Sequence, residues 1–254
     1  IKSDGSGYSV LRALSWRTGD GSIPVSELLV GSSGAFYGTT LVGGTLNLGI
    51  VFSIRPDGTG FTVLHSFGGG PDDGRNPYYG GLAADGAGNL YGMTRAGGVS
   101  DLGTVFTIRT DGSGRALLHS FAGYPDDGGK PYAGPAIDGG GNIFGTTWSG
   151  GASDLGTVFR MKADGSEFAV LHSFAGGGGD GSRPKGSLVV DVDGSIFGTT
   201  SQGGPSGLGT VFTLKADGMG YAVLHSFTGG ASDGSVPYAG LVSAGGATLL
   251  GTTS

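Results

Sequence analysis

The sequence predicts an all-β fold: a five-bladed β-propeller of four-stranded antiparallel blades, forming one domain over residues 1–254. Three observations carry this. The motif Phe36-Tyr37-Gly38-Thr39-Thr40 recurs as Leu90-Tyr91-Gly92-Met93-Thr94, Ile143-Phe144-Gly145-Thr146-Thr147, Ile196-Phe197-Gly198-Thr199-Thr200 and Leu249-Leu250-Gly251-Thr252-Thr253. Its central glycines lie 54, 53, 53 and 53 residues apart, so five copies of one unit of about 53 residues fill the chain. Each unit alternates short β-branched and aromatic runs with Asp-Gly-type turns, and no stretch has the 3.6-residue apolar period of a helix. A small sheet buries both faces only against neighbours, and a radial array does so without long exposed edges. An open β-solenoid is the alternative, but its coils run to about twenty residues and lack two such turns per unit.

The unit from Gly103 to Gly156 shows each element in order. Strand a, Gly103 to Arg109, turns at Asp111-Gly112, a dipeptide suited to the positive φ angles of a tight hairpin. Strand b, Ala116 to Phe121, ends at the glycine-rich acidic loop 122–130. Pro131 then opens strand c, read from Tyr132 to Ile137. After Asp138-Gly139-Gly140-Gly141-Asn142 comes strand d, Ile143 to Thr147, and a loop with Gly150-Gly151 leads to the next strand a. Ile1-Lys2-Ser3-Asp4-Gly5 aligns with Ile54-Arg55-Pro56-Asp57-Gly58, the tail of a strand a, and the chain stops after a strand d. The ends therefore read as cuts, with one strand start missing from the ring. The expected consequence is an unpaired blade edge open to oligomerisation.

Composition excludes several classes. The 59 glycines sit at repeated turn positions without a three-residue period, which excludes collagen. A net charge of −6 with 13% charged residues argues against nucleic-acid binding. No cysteine is present for a disulfide or thiolate site, and no apolar run reaches membrane-spanning length.

The repeat text carries a resemblance. Leu118-His119-Ser120-Phe121, Asp127-Gly128-Gly129-Lys130-Pro131, Ile143-Phe144-Gly145-Thr146-Thr147, Gly150-Gly151 and Gly156-Thr157-Val158-Phe159 are similar to the GloVer-type tandem repeats of bacterial choice-of-anchor proteins. The resemblance spans the chain. It implies an exported protein at the surface of, or outside, a bacterium, and it brings no assigned catalytic residue and no agreed ligand.

In a four-strand meander the b–c and d–a loops share one face, where recognition is expected. That face carries Asp20, Asp73, Asp127, Asp180 and Asp233, each followed by glycine and, four residues on, by Pro24, Pro77, Pro131, Pro184 and Pro237. Asp73, Asp127, Asp180 and Asp233 are candidate ligand contacts, with Trp16, Trp148, Tyr78, Tyr132 and Tyr238. The simpler reading of the aspartates is an Asx-type turn; calcium is the competing one, and no other metal or cofactor is expected. Asp191-Val192-Asp193-Gly194 looks like part of a calcium loop but lacks its third acidic position and distal glutamate, so it reads as a c–d turn.

His65, His119, His172 and His225 share one position in strand b, with Arg12 in the first copy. Repetition, and a strand phase shared with Val63 and Phe67, point to buried imidazoles held by hydrogen bonds. On the opposite face Lys2, Arg55, Arg109, Lys162 and Lys215 each precede an Asp-Gly turn and read as solvated hairpin ends. No nucleophile elbow, metal-ligand His cluster or phosphate loop appears.

The favoured function is thus an exported non-enzymatic scaffold displaying its long-loop face to a protein or glycan. A multivalent lectin-like module using the tyrosines and aspartates is the second reading. A polysaccharide hydrolase or lyase near Arg12, Trp16 and Glu27 is the third.

Overall fold

A computed structural model describes residues 1, 3–245 and 248–254, apart from the side chain of Trp16. Lys2 lies outside the described residues. The architecture is antiparallel β throughout, with a single three-residue 3-10 turn, Trp16–Thr18, among the described residues.

Four sheets follow one another, each with four strands side by side in the order c-d-a-b, and in the fourth the segment Gly181–Pro184 pairs as a fifth strand on the long strand d. The first comprises Leu29–Val30, Phe36–Thr40, Ile50–Ile54 and Thr62–Ser66. The second comprises Ala83–Ala84, Asn89–Thr94, Thr104–Arg109 and Ala116–Ser120. In the third these are Ala136–Ile137, Asn142–Thr147, Thr157–Lys162 and Ala169–Ser173, and in the fourth Val189–Val190, Ser195–Gly203, Thr210–Lys215 and Ala222–Ser226. The fifth repeat forms a two-stranded hairpin, Val242–Gly245 with Thr248–Leu250.

The recurrent Gly-Thr-Thr of strand d has a packing reason at every position. Gly145 pairs with Phe159 across the d–a ladder, and a Cβ there would come within 2.6 Å of the Phe159 ring. The ring therefore lies flat over a backbone that only glycine leaves bare. The next residue reaches the following repeat: Thr146 Oγ1 donates to the Gly186 carbonyl at 3.4 Å, and Thr199 Oγ1 donates to that of Ala239 at 3.1 Å. The last threonine pairs with the first of strand a, as in Thr147 with Thr157 at 2.8 Å. All of these threonines are buried.

The cores lie between sheets. Tyr91, Met93, Val105 and Phe121 of the second sheet pack on Ile143, Phe159 and Met161 of the third, and similar clusters join the first to the second and the third to the fourth. This satisfies the expectation that each small sheet needs its neighbours.

Three local expectations are corrected. Strand c pairs only over Ala136–Ile137, because the preceding segment leaves the sheet to meet the adjacent repeat: a Cβ on Gly134 would lie 2.3 Å from the Gly81 carbonyl oxygen, and Pro135 has no N–H for a ladder. Within the Asp-Gly pair of each a–b turn only the glycine takes positive φ, +85° at Gly112, and the second positive φ falls two residues on, at Gly60, Gly114, Glu167 and Gly220. Asp111 instead accepts the Ser113 N–H at 2.9 Å. Strand b does not keep a simple alternation, since a bulge falls between Val63 and His65 and at the equivalent place in the other copies. Val63 is consequently exposed while Phe67 is buried.

Candidate functional site: the mouth of a shared cavity

Each b–c loop ends in the same unusual backbone. Ile23, Asn76, Lys130, Arg183 and Val236, the residues before the five prolines, adopt φ between +47° and +57°. This is a costly conformation for β-branched Ile and Val, held only where the surroundings over-determine it. The holding contacts are visible. The N–H groups of Asn76, Lys130, Arg183 and Val236 donate to the carbonyls of Leu48, Leu102, Leu155 and Leu208 in the preceding d–a loops, at 2.6 to 2.8 Å. The proline rings pack on the glycines that open strand a, such as Pro131 on Gly103.

This fixed corner aims the residue after each proline inward. Val25, Tyr78, Tyr132, Lys185 and Tyr238, one per repeat, line a single cavity of about 900 Å³, with Glu27 and Tyr79 beside them. The residues align with one another in the repeat, and all five line the same cavity.

The mouth is an alternation of rings and cations. Tyr78 meets Tyr79 and Tyr132 edge to face at centroid distances of 4.6 and 5.1 Å. The Arg95 guanidinium lies 5.2 Å from the Tyr132 centroid and 5.7 Å from that of Tyr78. Lys185 Nζ sits 4.0 Å from the Tyr238 centroid and 5.9 Å from that of Tyr132. Trp148 extends the band, 6.0 Å from Tyr132, with Arg183 4.0 Å above it donating to its carbonyl oxygen. Burial and the neighbouring phenols of Tyr79 and Tyr132 raise the Tyr78 pKa, keeping it a neutral donor and acceptor.

The aspartates and histidines form a separate system. Asp73, Asp127, Asp180 and Asp233 each accept from the Nε2 of the histidine eight residues earlier, at 3.1, 2.9, 3.2 and 2.7 Å, and Arg12 pairs with Asp20 in the same way. Each of these four carboxylates also accepts a backbone N–H five residues before it, as Asp127 does from Ala122 at 2.8 Å. The residue just before strand b of the following repeat covers the pair. Phe168 stacks on His119 at 3.8 Å, Tyr221 stacks on His172 at 3.6 Å, Arg115 ion-pairs with Asp73, and Tyr221 donates its hydroxyl to Asp180. Burial opposes ionisation of Asp73 and Asp180, but hydrogen bonds from His65 and His172 and from backbone amides outweigh it and hold both carboxyls below the usual range. The first three histidines are about four-fifths buried at the side chain; His225 is half exposed.

The structure thus brings together Tyr78, Tyr132, Tyr238 and Trp148 from the sequence candidates and leaves the aspartates in a different network. Trp16 lies in the 3-10 turn. Arg12 and Glu27 have separate surroundings, Arg12 over Phe61 and Glu27 against Gly81 in the cavity. Asp191 and Asp193 close the c–d turn of the fourth sheet, where Asp193 accepts from Ser195 and Lys215. Among the described residues no group of three or more His, Asp or Glu is placed to hold a metal ion. Lys185 and Arg95 escaped the sequence reading, though the signal was there: Lys185 shares its offset from proline with the three tyrosines, and Arg95 shares Trp148's offset from strand d.

The model of the Gloeobacter/Verrucomicrobia repeat matches residues 1–134 and again 72–254. No curated protein matches the sequence. Among solved structures, a chain of the nidogen/laminin complex superposes with a TM-score of 0.60 at 17% identity, over 91% of this chain and 72% of that one. A putative TolB from Agrobacterium tumefaciens gives a TM-score of 0.50 at 10% identity, over 78% of this chain and 64% of its own. At these identities the likeness speaks for a propeller-like fold alone.

Proposed function

The chain belongs to the Gloeobacter/Verrucomicrobia repeat family, and we propose that it is an exported, non-catalytic five-bladed propeller that recognises a ligand at its central mouth. The observation that carries this is the convergence of Val25, Tyr78, Tyr132, Lys185 and Tyr238 on one cavity. A rigid concave surface with aromatic walls and a few polar groups is what small-ligand or glycan recognition uses. The four histidines and their aspartates, which a hydrolase could otherwise employ, are engaged with one another instead.

A fifth blade is supported at both ends of the chain. Leu11 lies against Gly58 as Leu64 lies against Gly112 and Leu118 against Gly165, and Arg12 covers Phe61 as His119 covers Phe168. Residues 8–12 therefore occupy a strand-b place before the first sheet, while the hairpin Val242–Gly245 and Thr248–Leu250 supplies strands c and d after the fourth.

A multivalent reading has its own observation. Equivalent dents on the long-loop face are lined by Leu48, Gly69 and Arg75 and by Leu155, Gly176 and Ser182, with volumes of about 560 and 690 Å³. Titration of an oligosaccharide library, followed by amide shifts and stoichiometry, separates the readings. One site, with shifts at Tyr132 and Tyr238 lost in Tyr132→Ala and Tyr238→Ala, is expected. Two or more equivalent sites would favour the dents, and shifts confined to the Asp57-Gly58 and Asp111-Gly112 turns would defeat both.

A further inference from the structure

The charge of the mouth says more about what enters it. The chain carries a net charge of −6, yet Lys185 lines the cavity and Arg95 and Arg183 lie over the adjoining rings of Tyr132 and Trp148. Ion pairs elsewhere engage Arg12, Arg75, Arg115 and Lys215. Among the described residues no carboxylate lies within ion-pair distance of Arg95, Arg183 or Lys185. Each instead faces a ring, an arrangement that fixes the cation in place without neutralising it. Arg95 Nε is in addition buried with no hydrogen-bond partner. Arg115 Nε, in the His–Asp network, is buried in the same way, so this atom alone assigns no ligand contact. The one carboxylate in the cavity wall, Glu27, is exposed.

Resting on the reading of the mouth as a binding site, we infer that its ligand is an acidic oligosaccharide, with sugar faces on Tyr132 and Tyr238 and a uronate carboxylate at Lys185. Tyrosine faces match the CH-rich side of a pyranose ring. The ammonium of Lys185, held over Tyr238, supplies charge-assisted hydrogen bonds to a carboxylate, and Arg95 beside Tyr78 and Tyr132 adds positive potential to that wall. A neutral glycan would leave these cations desolvated without return. A nucleic acid shares stacking and charge, but three cations on an acidic chain give little of the counterion release such binding draws on.

The test uses the full chain with trigalacturonate and its fully methyl-esterified form, read by calorimetry and by the tyrosine and amide signals of the mouth. Trigalacturonate is expected to shift Tyr78, Tyr132 and Tyr238 and to weaken with salt. The ester should bind at least roughly tenfold more weakly, as should trigalacturonate to Lys185→Met and Lys185→Gln, each checked for native circular dichroism. Equal binding of acid and ester with the same mouth shifts would overturn the inference and leave the binding site standing. Unchanged affinity in both lysine variants would overturn it as well. Tighter binding of a short oligothymidylate at the mouth would replace the carbohydrate class. Mouth signals unmoved by any of these ligands would count against both the inference and the site.

Discussion

Replacing Asp180 by alanine separates a structural aspartate from a ligand-binding one. Its carboxylate accepts from His172 Nε2 at 3.2 Å, from the Ala175 and Gly181 amides at 2.7 Å each, and from the Tyr221 hydroxyl. The side chain is 13% exposed, so solvent screens these contacts little. Hydrogen bonds to an ionised group contribute about 1.5–3 kcal/mol each, but water reaching the vacated loop would recover part of this. The expected loss is therefore about 3–5 kcal/mol, well short of the sum over four donors. In a chain of this size that lowers Tm by roughly 6–20 °C, at about 2–4 °C per kcal/mol. Urea unfolding of Asp180→Ala beside the exposed Asp126→Ala provides the assay, and the control should stay within about 0.5 kcal/mol of the parent. A stability of Asp180→Ala within that same margin would refute the assignment and return the aspartate to the candidate ligand set.

Other outcomes follow from the same geometry. Gly145→Ala forces a methyl into the Phe159 ring, with Met93 also 3.1 Å away, and should cost about 1–3 kcal/mol. Gly139→Ala, with nothing within 4 Å, should cost far less, and equal costs by urea midpoint would contradict the packing account. Stability should also fall in acid. Hydrogen bonds from Thr228 and His225 lower the Asp233 pKa to about 2, and Asp73 and Asp180 are likewise depressed. Because the folded values lie below the unfolded one of about 3.9, the contribution is complete above that pH and fades as pH falls towards 2. Urea midpoints should drop between pH 4.5 and 2.5; a flat profile would oppose this linkage.

The repeat and its strands were legible because turn residues and β-branched runs are local signals, and a 53-residue period repeats them. The His–Asp pairs were half legible: the shared position of the histidines marks them as structural, but the aspartates eight residues on read equally as ligand contacts on the loop face. Their meeting depends on the bulge at Leu64 and its equivalents, which no alternation pattern encodes. The mouth was hidden for a related reason. Tyr78, Tyr132 and Tyr238 were visible as aromatics, but their convergence with Lys185 depends on positive φ at Asn76, Lys130, Arg183 and Val236. Nothing in a residue such as Val236 announces that conformation; the contacts of the preceding d–a loop impose it.

Whether the five repeats surround one centre is measured most directly by a distance between the first and last of them. The chain has no cysteine, so Val25→Cys and Val242→Cys accept spin labels without background. Both positions line the same cavity, which sets an expected separation of roughly 10–25 Å by electron–electron double resonance. Four successive sheet-to-sheet steps in an open stack, at about 10 Å each, would place them near 40 Å. A distribution centred below about 25 Å is predicted, and one centred near 40 Å would contradict a shared central mouth.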